Sequence, residues 1–129
     1  MRYSWALPSL LLACLLLLPS IALAWPGKVV EVTDGDTLVV QKGNSEVDVR
    51  LYGIDISESD QSYGNKAKRF AASLTGGEKV EVEQKDRDQY GRVVGLAYIE
   101  GDGECLNEEL VRAGHAWFYE CPLNQSKRQ

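Results

Sequence analysis

Short runs of β-branched and apolar residues, separated by tight turns, are the feature that most restricts the fold of this chain. An Asp-Gly turn is flanked by the first two runs, which are Lys28 to Val32 and Thr37 to Gln41. A third run follows over residues 47–51. Because alternating apolar and polar side chains suit a half-buried strand, this segment predicts a three-stranded meander. Two further runs, Lys79 to Glu83 and Val93 to Ile99, predict strands four and five.

Two helices are predicted between and after these strands. Apolar residues recur at helical spacing from Tyr63 to Leu74, and the pair Gly76-Gly77 ends that helix. The second helix is predicted over Leu106 to Arg112, with Gly114 after its end. The expected fold is therefore α+β and mainly β, a five-stranded OB-fold barrel with a helix between strands three and four and a C-terminal helix. Such barrels commonly bind oligonucleotides or oligosaccharides, but a fold alone does not establish a function.

Residues 1–24 have the pattern of a secretory signal peptide. An uncharged stretch runs from Trp5 to Trp25, with a Leu-rich centre and a small-x-small sequence that ends at Ala24. We expect cleavage after Ala24, one domain over residues 25–129, and a periplasmic or secreted protein. The alternative is an uncleaved membrane anchor, because the uncharged stretch is just long enough to span a bilayer. The short apolar core and the cleavage pattern favour the signal peptide.

The charge balance excludes one class of nucleic-acid-binding protein. The chain has 14 basic and 19 acidic residues, a formal net charge of −5. This is the wrong sign for a protein that coats nucleic acid by neutralising its phosphates. It does not exclude an enzyme that holds one phosphate briefly, especially one whose bound divalent cation offsets part of the charge.

Two cysteines remain when the predicted leader is removed. Cys14 leaves with the leader, whereas Cys105 and Cys121 stay in the exported domain. In an oxidising compartment such a pair predicts a disulfide, worth about 3 kcal/mol in the chain-entropy model. The alternative is two unrelated thiols.

Four acidic residues lie at turns or strand ends and predict a site for a hard divalent cation. Asp34 and Asp36 occupy the first turn, and Asp55 and Glu58 follow the third strand. Carboxylate oxygens brought together from two loops suit Ca²⁺ or Mg²⁺. Taken alone, each motif is also typical of ordinary structure, since Asp-Gly forms hairpin turns and an Asp after a strand often acts as a cap.

Two arginines strengthen the case for phosphate chemistry. Arg50 opens the segment that leads to Asp55, and Arg92 follows a turn over residues 88–91. A guanidinium can bind two phosphate oxygens at once and stays charged at any relevant pH. A divalent cation, a general base and paired arginines are what phosphodiester hydrolysis needs. The alternative is that both arginines form surface salt bridges with neighbouring acids.

The chain resembles the staphylococcal nuclease family over nearly the whole predicted domain, from about Val29 to Tyr119. The resemblance is carried by five motifs in the family's order: Asp34-Gly35-Asp36-Thr37, Arg50-Leu51-Tyr52-Gly53-Ile54-Asp55-Ile56-Ser57-Glu58, Tyr63-Gly64, Asp88-Gln89-Tyr90-Gly91-Arg92 and Asn107-Glu108-Glu109-Leu110-Val111-Arg112-Ala113-Gly114. It implies a Ca²⁺-dependent nuclease that cuts DNA and RNA and leaves 3′-phosphates.

The resemblance also implies a metal site. Asp36 and Asp55 would supply carboxylate oxygens to the Ca²⁺, and Ile56 would supply its backbone carbonyl. Asp34 and Thr37 would hold these ligands or the water around the ion.

The same resemblance implies the residues that act on substrate. Glu58 would be the general base or would orient the attacking water, and the resemblance does not decide between these two roles. Arg50 and Arg92 would bind the scissile phosphate. Tyr90 would stack on the nucleotide or hydrogen-bond to it. Gln89 stands where the staphylococcal enzyme has a lysine, which removes one charge that steers phosphate.

Two rival functions follow from the same fold. The first is a non-catalytic OB-fold module of the cell envelope that binds nucleic acid, and the second is a structural scaffold. The five residues Asp36, Arg50, Asp55, Glu58 and Arg92 argue against the first, because a binding module needs no general base. We expect a monomer with no stable protein partner and no membrane contact beyond the signal peptide.

Overall fold

The computed structural model of the chain describes residues 24–56 and 61–119. Their core is a closed barrel of five strands, which are β1 Ala24–Asp34, β2 Thr37–Lys42, β3 Ser45–Leu51, β5 Lys79–Arg87 and β6 Val93–Ile99. Around the barrel their order is β1-β2-β3-β6-β5. Every neighbouring pair is antiparallel except β3 and β6, which run parallel and close the barrel. The predicted mainly β, OB-type barrel is confirmed.

The strands form as their patterns predict, because every second residue points into the barrel. Leu38 and Val40 of β2 are fully buried, as are Val49 and Leu51 of β3. Strand β1 begins earlier than the sequence predicts because Ala24–Lys28 pairs with β5. Strand β5 continues past its predicted end at Glu83 because its last residues pair with the start of β6, as in the pair Arg87 and Val93.

Two helices close the barrel. Helix α1, Gln61–Thr75, lies between the third and fourth barrel strands, and α2, Leu106–Arg112, follows β6. Ala67 and Ala71 of α1 are fully buried. Tyr63, which shares the apolar spacing of α1, is 45% exposed, so the buried stripe of this helix is narrower than its pattern suggests.

A second, two-stranded sheet was not predicted. Its strands are β4, Ile54–Ile56, and β7, Ala116–Phe118, and they pair antiparallel. Three residues are too few to show an alternating pattern in the sequence. This small sheet lies directly after β3, so it determines where Asp55 and Ile56 sit.

The predicted cleavage point lies at the start of β1. Ala24 pairs with Glu83 and Trp25 with Val82, and the Trp25 side chain is buried. Residues 1–23, the rest of the predicted leader, lie outside the described part of the chain. Within the described residues, no helix is long and apolar enough to cross a membrane.

Candidate active site

The turn between β1 and β2 presents Asp36 at the rim of the barrel. Asp34 and Thr37 are cross-strand partners, which leaves Gly35 and Asp36 as the two residues of the turn. The Thr37 hydroxyl donates a hydrogen bond to Asp36 Oδ1 at 3.2 Å. The Asp36 carbonyl accepts the Leu51 N–H at 2.8 Å, so the turn is tied to the end of β3. Asp34 itself is exposed.

The same turn lies against the strand that carries Asp55. A Cβ built on Gly35 would lie 3.1 Å from Ile56 Cδ1 and 2.7 Å from the Cβ of Ala67. Only glycine allows so close an approach of the turn to β4 and α1. The two acid-bearing segments predicted to share a metal are therefore neighbours, with Asp55 exposed on β4 and the Ile56 side chain buried.

Arg50 lies beside the predicted metal ligand. Its cross-strand partner is Thr37, and its Nη2 atom lies 3.7 Å from Asp36 Oδ2. The arginine side chain is 35% exposed, so its guanidinium is accessible from solvent. The salt bridge to a neighbouring acid, the alternative that the sequence left open, is present, and it brings the cation to the carboxylate of the candidate site.

Arg92 is held by Asp88. Asp88 Oδ2 accepts a hydrogen bond from Arg92 Nε at 2.6 Å, and Oδ1 accepts the backbone N–H groups of Tyr90 and Arg92 at 2.9 Å each. Burial alone would raise the pKa of Asp88, but the hydrogen bonds from Arg92 and Tyr90 outweigh it and lower that pKa below 3.8. Asp88 is thus an anion that positions Arg92. The sequence marked it only as part of a motif.

The barrel register brings Arg92 to the strand beside Arg50. Val49 pairs with Val93 and Arg50 with Val94 in the parallel β3–β6 ladder. The buried side chains of Val49 and Val93 point into the barrel, so Arg50 lies on the outer face. Arg92 immediately precedes Val93, so it lies at the start of the strand adjacent to the one that carries Arg50.

Exposed aromatic rings flank this rim. Tyr90 is 75% exposed, and the Arg92 guanidinium lies 5.5 Å from its ring centroid. Trp117 is 51% exposed and is the cross-strand partner of Asp55. Its ring centroid lies 6.4 Å from that of Tyr119, which is also exposed. The pairing thus places Trp117 opposite Asp55, one of the predicted metal ligands.

A buried amide connects the barrel to the loop that precedes Asp55. Asn107, at the start of α2, is fully buried. Its Nδ2 donates to the carbonyls of Tyr52 at 2.9 Å and Gly95 at 3.2 Å, and its Oδ1 accepts the Ala97 N–H at 3.2 Å. Asn107 therefore joins α2, β6 and the turn between β3 and β4. The sequence showed the residue within a motif but not this role.

The donors that the structure describes suit a hard cation. Among residues 24–56 and 61–119, no group of three or more His, Cys, Asp or Glu side chains converges as a metal cluster. Asp36 and Asp55 nevertheless offer carboxylate oxygens, and Ile56 offers a carbonyl, on segments in contact. Oxygen donors completed by water are what Ca²⁺ accepts, so the residues present fit the implied ion.

The predicted general base and one half of the predicted disulfide lie outside the described residues. These are Glu58 and Cys121, so both the base and the disulfide stay predictions. The other half of the disulfide, Cys105, is a buried thiol at the start of α2. Its Sγ lies 3.7 Å from Asn107 Oδ1, and burial raises its pKa.

The chain is similar to a nuclease family and to several proteins that are named as nucleases. The family model described as "Staphylococcal nuclease homologue" matches residues 48–129. An "Uncharacterized endonuclease" of Escherichia coli is 41% identical over 104 residues, which cover 75% of this chain and 67% of that protein. The "Micrococcal nuclease" of Shigella flexneri is 37% identical over 100 residues, covering 72% and 58%. The "Thermonuclease" of Staphylococcus hyicus is 35% identical over 97 residues, covering 69% and 56%. The chain thus spans between about half and two thirds of the length of these relatives.

Proposed function

The chain belongs to the staphylococcal nuclease family, and from that premise we propose that it is an exported, Ca²⁺-dependent nuclease that hydrolyses phosphodiester bonds of DNA and RNA to 3′-phosphate products. Relatives named as nucleases support the nuclease activity. The observation that carries the proposal is the 3.7 Å approach of Arg50 Nη2 to Asp36 Oδ2. A phosphate-binding cation and a metal-binding carboxylate lie side by side at one rim of the barrel.

Asp36, Asp55 and the carbonyl of Ile56 would hold the Ca²⁺. When bound, the ion would draw negative charge from the phosphoryl oxygens and orient the water that attacks phosphorus. The Thr37 hydroxyl supports this role of Asp36, because its hydrogen bond to Oδ1 restricts the carboxylate. Asp34, one residue from the turn, would act on the surrounding water.

Arg50 and Arg92 would bind the non-bridging oxygens of the scissile phosphate. Negative charge on these oxygens is greatest in the transition state, and cations already in place stabilise it without reorganisation. The Asp88 carboxylate occupies Arg92 Nε. Among the described residues no other group accepts a hydrogen bond from the Arg92 guanidinium nitrogens, which supports their use for hydrogen bonds to the phosphate and to the leaving 5′-oxygen.

Glu58 would accept a proton from the attacking water or orient that water. In the sequence it stands two residues after the end of β4 and three residues before the start of α1. Tyr90 would contact the nucleotide base or sugar, and its 75% exposure leaves its face available for stacking.

Digestion by the purified chain tests the proposal. Plasmid DNA and an RNA transcript should both be cut in Ca²⁺, and excess EGTA should stop cleavage until Ca²⁺ is restored. The products should carry 3′-phosphates, which a 3′-phosphatase must remove before a polymerase can extend the ends.

Two variants serve as matched controls in this assay. Asp36→Ala should lose activity and bind Ca²⁺ more weakly by calorimetry, whereas Asp48→Ala, an exposed acid on β3, should keep both. Full activity in EGTA without added metal would contradict the Ca²⁺ assignment. Binding of nucleic acid without cleavage in Ca²⁺ would instead favour the non-catalytic module.

A further inference from the structure

Helix α1 carries the opposite charge to the chain as a whole. It contains Lys66, Lys68 and Arg69 and no acidic residue, whereas the complete chain has a net charge of −5. Within the described residues, neither Lys68 nor Arg69 has an acidic partner within 4.0 Å. Both side chains are exposed. Two cations are thus presented together to solvent on an acidic protein.

These two cations line a shallow groove on the outer face of α1. The groove has a volume of about 370 Å³ and is lined by Asn65, Lys68, Arg69 and Ala72. At about 100° per residue, Asn65, Arg69 and Ala72 lie on the side of the helix opposite Ala67, and Lys68 lies on its flank. The amide of Asn65 adds a hydrogen-bond donor beside the two positive charges. The combination suits an anion with several oxygens, such as a backbone phosphate.

The inner face of the same helix contacts the candidate active site. Ala67 is fully buried and meets the turn at Gly35, next to Asp36. A helix with its side chains is about 10 Å across. The groove therefore lies about one helix diameter from the turn, too far to reach the scissile phosphate and near enough for a neighbouring part of the same strand.

A second groove on the molecule is lined by acidic rather than basic side chains. It has a volume of about 380 Å³ and is lined in part by Glu81, Glu100 and Tyr98, at the end of β5 and β6 remote from Arg92. A polyanion would be repelled there. The charge distribution therefore favours one direction for a bound strand, across α1.

We propose that the groove of Lys68 and Arg69 binds the phosphate backbone of the substrate strand several nucleotides away from the bond that is cut. This inference rests on the proposed nuclease function and adds a second contact surface to it. Because a short substrate cannot reach the groove, its contribution should appear only with long strands. Each lost phosphate contact should also make the salt dependence shallower by about 0.7 on a log–log scale for single strands.

The test compares a long and a short substrate in the Lys68→Gln/Arg69→Gln variant. With a single strand of about 30 nucleotides, longer than a typical OB-fold site, kcat/KM should fall on the order of tenfold at about 0.1 M salt. The slope of log kcat/KM against log salt should become shallower by about 1.4. With a dinucleotide that has one phosphodiester bond, kcat/KM should stay at the wild-type value.

The matched control is Lys28→Gln/Lys79→Gln, an exposed cross-strand pair with the same change in charge. It should leave the long-strand kinetics unchanged. Equal losses in the two variants would show a general charge effect and overturn the proposal, and so would an unchanged long-strand kcat/KM in the α1 variant. Unchanged long-strand kinetics with weaker binding to anionic lipid vesicles would assign the groove to a membrane surface instead.

Failure of the groove proposal and failure of the nuclease proposal give different experimental results. A wild-type chain that cuts neither substrate contradicts the nuclease proposal. In that case fluorescence anisotropy with the same long strand still tests the groove, because the α1 variant should bind it more weakly than the control variant does. Equal affinities would overturn the inference.

Discussion

Asp88 holds Arg92 through side chain and backbone at once, with Oδ2 2.6 Å from Arg92 Nε and Oδ1 2.9 Å from the Arg92 backbone nitrogen. Oδ1 also accepts the N–H of Tyr90, so one carboxylate shapes the whole turn. Gly91 completes this turn with φ +80°, a conformation that suits glycine. The arginine proposed to meet the phosphate is therefore oriented before substrate binds.

Asp88→Asn should lower kcat by about 10- to 100-fold with little change in KM, because a misplaced Arg92 loses transition-state contacts. An amide nitrogen cannot accept the Nε hydrogen bond that the carboxylate accepts. Asp86→Asn is the matched control, since within the described part of the chain the Asp86 side chain bonds only the neighbouring Arg87 backbone N–H. Steady-state kinetics of both variants check this, and equal kcat in the two would refute the positioning role.

The lowered pKa of Asp88 predicts how stability depends on pH. A carboxyl group whose pKa is lower in the folded state stabilises that state above its ordinary pKa, and the contribution is lost as pH falls through the lowered value. The ordinary value here is 3.8. The difference in Tm between wild type and Asp88→Asn should be constant from about pH 5 to 7 and shrink below about pH 4. A difference that grows on acidification would contradict the assignment.

Arg50→Lys and Arg92→Lys should each lower kcat by about 100- to 1,000-fold and change KM much less. Lysine keeps the charge but loses the two-pronged geometry of guanidinium. Arg112→Lys, at an exposed ion pair with Glu109, provides the control and should have normal kinetics. If both active-site variants kept a near-normal kcat, the catalytic role of these arginines would have to be abandoned.

Asn107→Ala should destabilise the fold by about 2 to 5 kcal/mol. The change removes the acceptor of the Ala97 N–H and the donor to the Tyr52 and Gly95 carbonyls, and the loss of buried hydrogen bonds is costly. Urea unfolding followed by circular dichroism measures the loss. Asn44→Ala, at an exposed turn, should cost less than about 0.5 kcal/mol, and similar losses in the two variants would contradict the role of Asn107.

The exported protein should begin at Trp25, with Cys105 and Cys121 of the denatured protein resistant to alkylation until a reductant is added. The prediction follows from the leader pattern and from the oxidising conditions outside the cytoplasm. Mass spectrometry of protein purified from the cell envelope or medium measures both features. An intact leader would identify a membrane anchor, and two thiols that react without reduction would exclude the disulfide.

Much of the barrel follows from local patterns in the sequence. Val47, Val49 and Leu51 alternate with polar residues, and the turn at Gly35 and Asp36 lies where the Asp-Gly pair predicts it. The types of the candidate site residues are also local information. Carboxylates at turns and arginines near strand ends can be recognised from the sequence as candidate site residues. The residues that they contact are known only from the structure.

The tertiary structure alone decided which of these residues meet. The parallel pairing of β3 with β6 puts Arg92 beside the strand of Arg50, and the β4–β7 pairing puts Trp117 opposite Asp55. A period of two shows which face of a strand is buried, but it does not identify the partner strand or its register. Contacts between residues far apart in sequence depend on that register. The candidate site residues therefore become neighbours only in the closed barrel.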